Sequence, residues 1–296
     1  MKPAPFRYAR PQTLSDAVEL LAAADHDVKI LAGGQSLVPM LNLRLVRPSV
    51  LIDLNGVPGL DHVTPGADGG LSIGALVRHA ALAGSADVIE RAPLLAEAAR
   101  HVGHAAIRHR GTLGGSLAHA DPAAELPAVL VALGAELSLH GRRGARTVQA
   151  AEFFLGLMTT ALEPDEILVE IRVPPLPRTG WGFAEVVRRE GDFALAGVVA
   201  LVGRLGPSGP CESARLVGFG VGDRPVRFAA AEDSLMSPSH DPGVALTAAA
   251  AAAAAEACDP PDDVHASAEY RRHLAAVLAE DAVSQALARL DGARPA

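Results

Sequence analysis

A glycine pair followed by a serine is the first feature of the sequence that could do chemistry. Adjacent glycines permit positive φ angles and close approach, so successive backbone N–H groups can point at one anion. A serine at a helix start adds a hydroxyl where unpaired N–H groups also favour negative charge. The pattern is compatible with a phosphate cradle, but taken alone a glycine pair more often makes a plain turn. The residues of this motif are Leu31, Ala32, Gly33, Gly34, Gln35, Ser36, Leu37 and Val38.

The elements on either side of this motif predict how it is held. Residues 28–31 form a short apolar run with two β-branched members, which is typical of a buried strand, and residues 37–45 have helical spacing. We predict a helix over 17–24 upstream and another strand over 49–54 downstream. The glycine motif would then lie at the carboxyl end of a strand in a small α/β layer, where such sheets usually bind ligands.

A second glycine pair occurs much later in the chain. The motif around this pair consists of Thr112, Leu113, Gly114, Gly115 and Ser116. After it, we predict that Asp121 and Pro122 begin a helix that runs to about Leu133 and stops at Gly134. Glu125 lies one residue too far from Asp121 for a capping box. Its carboxylate is therefore available for another role, although the helix dipole alone would favour an acid there.

The remaining patterns predict an α+β fold of two domains. Further strands are expected over 71–75, 135–140, 146–148 and 166–173, and helical segments over 77–100 with breaks near Gly84 and Pro93. The proline-rich run 174–177 reads as a rigid linker. Beyond it, three strands over 182–189, 194–205 and 214–221 favour an antiparallel meander, and alanine-rich helices follow from 229, over 242–257 and over 267–290. We therefore predict domains 1–177, with subdomains of about 1–57 and 58–177, and 178–296.

Composition excludes several classes of function. The chain of 296 residues is 49% hydrophobic and 20% charged, as expected for a globular protein. A net charge of −8 and an aromatic share of 3% argue against a nucleic-acid partner. Cys211 and Cys258 stand far apart and cannot by themselves form a zinc or iron–sulfur site. We expect a cytoplasmic protein with no transmembrane segment, because no stretch is apolar enough.

Other catalytic chemistries find little support in the sequence. Histidines at 101, 104, 109 and 119 invite a metal hypothesis, but no cysteine or glutamate completes a recognisable ligand set, so we expect no metal. There is no Gly-x-Ser-x-Gly elbow, no Gly-Lys-Ser or Gly-Lys-Thr, and neither glycine pair completes a dinucleotide fingerprint. The sequence therefore supports neither a serine hydrolase nor a P-loop or dinucleotide-fingerprint site.

The two glycine pairs together carry a family resemblance. They closely resemble the paired flavin-binding motifs of the FAD subunit of molybdenum hydroxylases, the medium-subunit family of xanthine dehydrogenase and carbon monoxide dehydrogenase. Residues 188–194, RREGDFA, and 265–272, HASAEYRR, also resemble family segments. The likeness runs in order along nearly the whole chain. It implies an FAD-binding domain of the PCMH type, with two α/β subdomains, and a C-terminal domain with a three-stranded antiparallel sheet and helices.

The resemblance also implies roles for individual residues. Residues 31–38 and 112–116 would hold the FAD diphosphate, and Glu125 would hydrogen-bond the cofactor. Val102 and Leu168 would be apolar pocket residues, while Asp192 and Phe193 would lie beside the isoalloxazine ring. Phe193 could instead be core of the meander, and the arginines at 188 and 189 a solvated hairpin end. The chain departs from the pattern at Ala184, where xanthine dehydrogenase relatives carry lysine, and at Val102, which replaces an aromatic ring.

The function that the resemblance implies is electron transfer within a larger enzyme. Electrons would arrive singly from a small subunit with two [2Fe–2S] clusters, after a large molybdopterin subunit has oxidised the substrate, and would leave FAD for an external acceptor. The assembly would be a heterotrimer dimerised to a heterohexamer. Two alternatives stay open, a self-contained FAD-dependent oxidoreductase and a non-catalytic nucleotide-binding protein. The sequence specifies neither the substrate nor the acceptor, which could be quinone, NAD or oxygen.

Overall fold

The first subdomain is a small parallel sheet with two helices. The computed structural model describes residues 2–23, 27–176, 179–204, 211–237, 242–256 and 259–292. The sheet order is β1–β3–β2, from β1 (Arg7–Ala9), β2 (Val28–Leu31) and β3 (Val50–Asp53), with helices α1 (Leu14–Ala22) and α2 (Leu37–Asn42). The predicted strand–helix–strand unit is confirmed. The helix α2 ends before the predicted Leu45, because Arg44 adopts a left-handed φ of 58°.

The second subdomain is built on a five-stranded antiparallel sheet. Its order is β4–β5–β10–β6–β7. The strands are β4 (Val63–Pro65), β5 (Leu71–Gly74), β6 (Glu136–Gly141), β7 (Gly144–Gln149) and β10 (Ile167–Val173), with a hairpin of β8 (Phe154–Gly156) and β9 (Thr159–Thr160). Its helices are α3 (His79–Gly84), α4 (Ala86–Arg91), α5 (Pro93–His101), α6 (Ala105–Arg108), α7 (Leu113–His119), α8 (Glu125–Leu133) and α9 (Ala150–Phe153). The predicted helix breaks near Gly84 and Pro93 are both present.

The second glycine pair and the helix after it differ from the prediction. Gly114 and Gly115 lie in the first turn of α7, whose N-cap is Thr112, and not in an open turn. The next helix, α8, starts at Glu125 and not at Pro122, because Asp121 uses its carboxylate to accept the N–H of Ala123 at 2.9 Å in a local turn. The stop at Gly134 is confirmed, with φ 65° at the C-cap.

The C-terminal part contains the predicted antiparallel meander. Strands β11 (Thr179–Val187), β12 (Ala194–Arg204) and β13 (Cys211–Phe219) pair in order, and the short β14 (Val226–Arg227) adds a fourth strand at the edge. The helices are α10 (Ala229–Met236), α11 (Pro242–Glu256) and α12 (Ala268–Leu290), close to their predicted positions. The proposed boundary between 177 and 178 lies outside the described residues and remains a prediction. Cys258 also lies outside the described residues.

The helix α8 joins the two domains. All nine of its residues are buried, since it packs on α5 and α7 on one side and on β12 and β13 on the other. One apolar cluster therefore runs from β5 and β10 through α8 to Phe183 and Phe219 of the C-terminal sheet. A helix that is covered on every side must bury its first residue as well, which here is Glu125.

Candidate functional site

The first glycine motif leaves a run of backbone donors unused. It connects the end of β2 at Leu31 to α2, and Gly34 turns the chain with φ 74°. Within the described residues, the N–H groups of Gly34, Gln35 and Ser36 donate no hydrogen bond to the protein. The Ser36 hydroxyl makes no capping bond. Three successive N–H groups and one hydroxyl are thus available to an anion, which is the donor set that a phosphate needs.

The second glycine motif is different, because its N–H groups already have acceptors. Leu113 and Gly114 donate to the backbone at 2.9 and 2.8 Å, and Gly115 and Ser116 donate at 3.1 and 3.0 Å. The acceptors are the carbonyl oxygens of Val77 and Ala75 for the first two, and Oγ1 and the carbonyl oxygen of Thr112 for the others. Thr112 is 2% exposed and its Oγ1 already accepts from Gly115, so the accessible group that this motif offers to a ligand is the half-buried Ser116 hydroxyl.

The two motifs touch each other across the boundary between the subdomains. A Cβ atom added at Gly33 would overlap the carbonyl oxygen of Arg110, just before the second motif. A Cβ added at Gly115 would lie 3.7 Å from Cβ of Ala32. The structure thus brings together residues 31–38 and 112–116, with free N–H groups on one side and a hydroxyl on the other.

Glu125 is a buried acid at the start of α8, the helix that follows the second motif and packs on α7. Its side chain is 5% exposed at the start of α8. Burial raises the pKa of Glu125 to about 7, and the nearby Glu185 carboxylate adds to the rise. At neutral pH a substantial fraction of this carboxyl group is protonated, so it can donate a hydrogen bond as well as accept one.

His101 and Glu185 form an ion pair that the sequence analysis did not predict. The Nδ1 atom of His101 lies 3.0 Å from Oε1 of Glu185, and its ring packs on Phe183 with centroids 4.6 Å apart. The hydrogen bond that the ring of His101 donates to Glu185 raises the pKa of His101 above its usual value, against the opposing effect of burial. No local pattern links residues 84 positions apart, so only the folded chain shows the pair.

Val102 and the residues of the β11–β12 turn lie on one side of the molecule. Val102 is the C-cap of α5 and is half-buried. A Cβ added at Gly191 would lie 2.5 Å from Nδ1 of His104, two residues after Val102. The structure therefore places the loop after α5 against the turn that carries Asp192 and Phe193.

Phe193 is 62% exposed, so the alternative that it belongs to the core is wrong. The two arginines before it, Arg188 and Arg189, are exposed at the hairpin end as predicted, and Arg188 lies 3.0 Å from Nδ1 of His265. Leu168 is separate from these exposed residues. It is 5% exposed in β10 and packs in the core cluster behind the second motif, with Leu113. Ala184, the position of the missing lysine, is also buried.

Two residues that the sequence analysis missed connect the glycine motifs. Asn55 donates from Nδ2 to the carbonyl oxygen of Ala32 at 2.9 Å, and Arg78 donates from Nη1 to the carbonyl oxygen of Arg110. Asn55 follows a predicted strand, but a single asparagine after a strand carries no specific signal. Over the described ranges, no three His, Cys, Asp or Glu side chains come together as metal ligands, and no helix has the length and apolar character needed to cross a bilayer.

The donor-rich loop and the two packed domains suit a protein that binds an anionic cofactor. Residues 4–176 match the family described as "FAD binding domain in molybdopterin dehydrogenase", and residues 181–286 match "CO dehydrogenase flavoprotein C-terminal domain". The chain belongs to this FAD-binding subunit family of the molybdopterin dehydrogenases. The unused N–H groups at Gly34, Gln35 and Ser36 fit the diphosphate of FAD, the cofactor that the family binds.

Individual relatives cover the chain from end to end. The "6-hydroxypseudooxynicotine dehydrogenase complex subunit alpha" of Paenarthrobacter nicotinovorans is 43% identical over 100% of this chain and 98% of the relative. The "Caffeine dehydrogenase subunit beta" of Pseudomonas sp. strain CBB1 is 39% identical over 98% of this chain and 97% of the relative. A carbon monoxide dehydrogenase structure from Hydrogenophaga pseudoflava superimposes with TM-score 0.93 and 38% identity, covering 98% and 99% of the two chains.

Proposed function

We propose that this subunit takes electrons one at a time from a [2Fe–2S] partner subunit and delivers them to an external acceptor. The observation that carries the proposal is the match of both domains, in order, to flavoprotein subunits of dehydrogenases. Bound FAD supplies the redox chemistry, and the chain holds and orients it. The role needs no catalytic acid, base or nucleophile from this chain.

In this proposal, the two glycine motifs have different tasks. The free N–H groups at 34–36 bind one phosphate of the diphosphate, and the Ser116 hydroxyl binds the other, in a helical turn that the buried Thr112 caps. The Leu31–Val38 and Leu113–Gly115 backbones shape the walls of this site. The N–H groups of the second motif already donate within the protein. The second motif therefore makes fewer hydrogen bonds to the cofactor than the first.

The flavin end of the site is assigned to residues farther along. Glu125 hydrogen-bonds the cofactor from its buried position, and Val102 lines the pocket beside the turn with Asp192 and Phe193. Leu168 supports the pocket from within the core, in the same apolar cluster as Leu113. The exposed face of Phe193 then shields one edge of the ring from water.

The partner subunits complete the proposed enzyme. By analogy with the relatives, whose names describe subunits of dehydrogenase complexes, the partners are a molybdopterin-binding large subunit and a [2Fe–2S] small subunit, assembled as a dimer of heterotrimers in the cytoplasm. The named relatives act on chemically unlike compounds but resemble this chain to a similar degree. We therefore assign substrate selection to the large subunit and none of it to this chain.

Purification with and without the neighbouring reading frames tests the proposal. The chain expressed alone should bind FAD and should not oxidise an organic substrate by itself. Coexpressed with a cysteine-rich and a large neighbouring protein, it should copurify with iron and molybdenum and accept electrons from them. Autonomous turnover by the isolated yellow protein would instead support a self-contained flavoenzyme. A colourless chain with no FAD affinity would overturn both flavin functions.

A further inference from the structure

A chain of four polar side chains joins the two glycine motifs from behind. Its members are Tyr8, Asp53, Asn55 and Arg78. The Tyr8 hydroxyl donates to Oδ2 of Asp53 at 2.5 Å, and Oδ1 of Asp53 accepts the backbone N–H of Asn55 at 2.9 Å. These bonds anchor Asn55 immediately after β3, the central strand of the first sheet.

The amide of Asn55 can point in one direction only. Its Nδ2 group donates to the carbonyl oxygen of Ala32 at 2.9 Å and to Asp53 Oδ1 at 2.5 Å, and its Oδ1 accepts from Arg78 Nη2 at 2.6 Å. The reverse orientation would oppose oxygen to oxygen at two contacts and nitrogen to nitrogen at the third. The amide therefore links the first motif to Arg78 with a defined polarity.

Arg78 extends the link to the second motif. Its Nη1 donates to the carbonyl oxygen of Arg110, and its backbone forms an isolated antiparallel bridge with Thr112. The next residue, His79, donates its N–H to the carbonyl oxygen of Gly111 at 3.1 Å. The planar guanidinium thus contacts Asn55 and Arg110 at once, a geometry that the single ammonium of lysine does not reproduce.

We propose that Asn55 and Arg78 are positioning residues that fix the spacing of the two glycine motifs to the length of a diphosphate. They act through the carbonyl oxygens of Ala32 and Arg110 and do not contact the cofactor. The inference rests on the proposed binding of FAD at these motifs. Small errors in spacing are costly for binding, because a diphosphate must reach both motifs at the same time.

Two conservative variants of the full chain test the spacing. Asn55→Asp keeps the size and the acceptor for Arg78 but replaces the donor to Ala32 and Asp53 with an oxygen. Arg78→Lys keeps the charge but loses the planar guanidinium that contacts Asn55 and Arg110 together. Each should weaken FAD binding by about tenfold in titrations of the apoprotein. Asn55 and Arg78 act in one network, so the effects of the two substitutions should not add. The double variant should bind FAD only slightly more weakly than the single variant with the lower affinity. Arg172→Lys, at an exposed ion pair with Asp68, is the matched control and should bind normally.

A comparison of ADP with AMP separates spacing from general damage. Both nucleotides are measured as competitors of FAD. ADP can span both motifs and AMP cannot, so the preference for ADP should fall in Asn55→Asp and Arg78→Lys, whereas a merely less stable protein would lose affinity for both equally. Circular dichroism verifies folding, and Arg78→Lys carries the test if Asn55→Asp does not fold.

The outcomes distinguish this inference from the proposed function. If the wild-type chain binds FAD but the folded variants keep its affinity, or keep the ADP preference, the positioning role is wrong and the flavin function stands. If the wild-type chain itself has no affinity for FAD, the proposed function fails, and the inference fails with it.

Discussion

The Nδ1 atom of His101 lies 3.0 Å from Oε1 of Glu185, which links the last turn of α5 to a strand of the C-terminal sheet. The side chain of Glu185 is 8% exposed, and its second oxygen has no hydrogen-bond partner among the residues that the structure describes. The cost of burying the Glu185 charge is therefore offset by its contact with one histidine. The contact makes the docking of the two domains sensitive to the charge of that ring.

The first prediction follows from the raised pKa of His101. Its contribution to stability is complete below the unfolded-state pKa of about 6.5 and is lost as pH rises through the higher folded-state pKa. Urea unfolding should show this loss in the wild type as the pH rises above about 6.5, and a smaller one in His101→Gln. The amplitude should stay below about 1 kcal/mol, because the ring is 38% exposed and solvent screens the pair. His109→Gln, at an exposed histidine, should behave like the wild type.

The second prediction concerns Glu125, whose pKa is raised to about 7 by burial. For an acid with a raised pKa, ionisation in the folded state destabilises the protein as pH rises from about 4.5 to about 7. Glu125→Gln stays neutral, so the apoprotein variant should be more stable than the wild type at pH 8 by up to about 3 kcal/mol. The two should be alike near pH 4.5. Equal stabilities across this range would contradict the burial argument.

The third prediction concerns Gly34. Its φ of 74° is costly for a β-branched residue, and a Cβ there would lie 3.1 Å from side-chain atoms of Leu31 and Val38. Gly34→Val should give folded protein depleted in FAD, because the loop must rotate its N–H groups away from the diphosphate. Gly144→Val is the matched control, since Gly144 has φ 106° in a hairpin turn with nothing within 4 Å. It should lose similar stability but keep its FAD, measured as flavin per protein.

The fourth prediction concerns Phe193. Since this ring is 62% exposed, Phe193→Ala should change the free energy of unfolding of the apoprotein by less than about 0.5 kcal/mol. It should nevertheless alter the fluorescence of bound flavin if the ring lies beside it. The control Phe183→Ala removes a buried ring and should cost about 3–5 kcal/mol. Unchanged flavin fluorescence in Phe193→Ala would remove this residue from the site.

Local patterns were sufficient to predict much of the fold. The glycine turn after β2, the meander and the C-terminal helices each depend on residues close in sequence, so periodicity and turn residues indicate them. The helix α7 was missed because Gly114 and Gly115 are poor helix formers. The structure makes them helical through the Thr112 cap and the burial of Leu113 and Leu117 on either side.

The parts of the site that were not predicted depend on distant residues. Asn55 and Arg78 are separated by 23 positions, and His101 and Glu185 by 84, so no window of sequence contains either pair. The sequence also did not show that the N–H groups are free in the first motif and hydrogen-bonded in the second. Whether an N–H group is free depends on the acceptors that folding brings to it, and the acceptors of the second motif come from Ala75 and Val77.

The internal hydrogen bonds of the second motif have a consequence for the loss of a bound ligand. Because Leu113, Gly114 and Gly115 find acceptors within the chain, their N–H groups need no ligand to satisfy them. The N–H groups of residues 34–36 have no acceptor among the described residues, and water can satisfy them at the surface. Removal of bound FAD should therefore change amide hydrogen exchange at residues 34–36 far more than at residues 113–115.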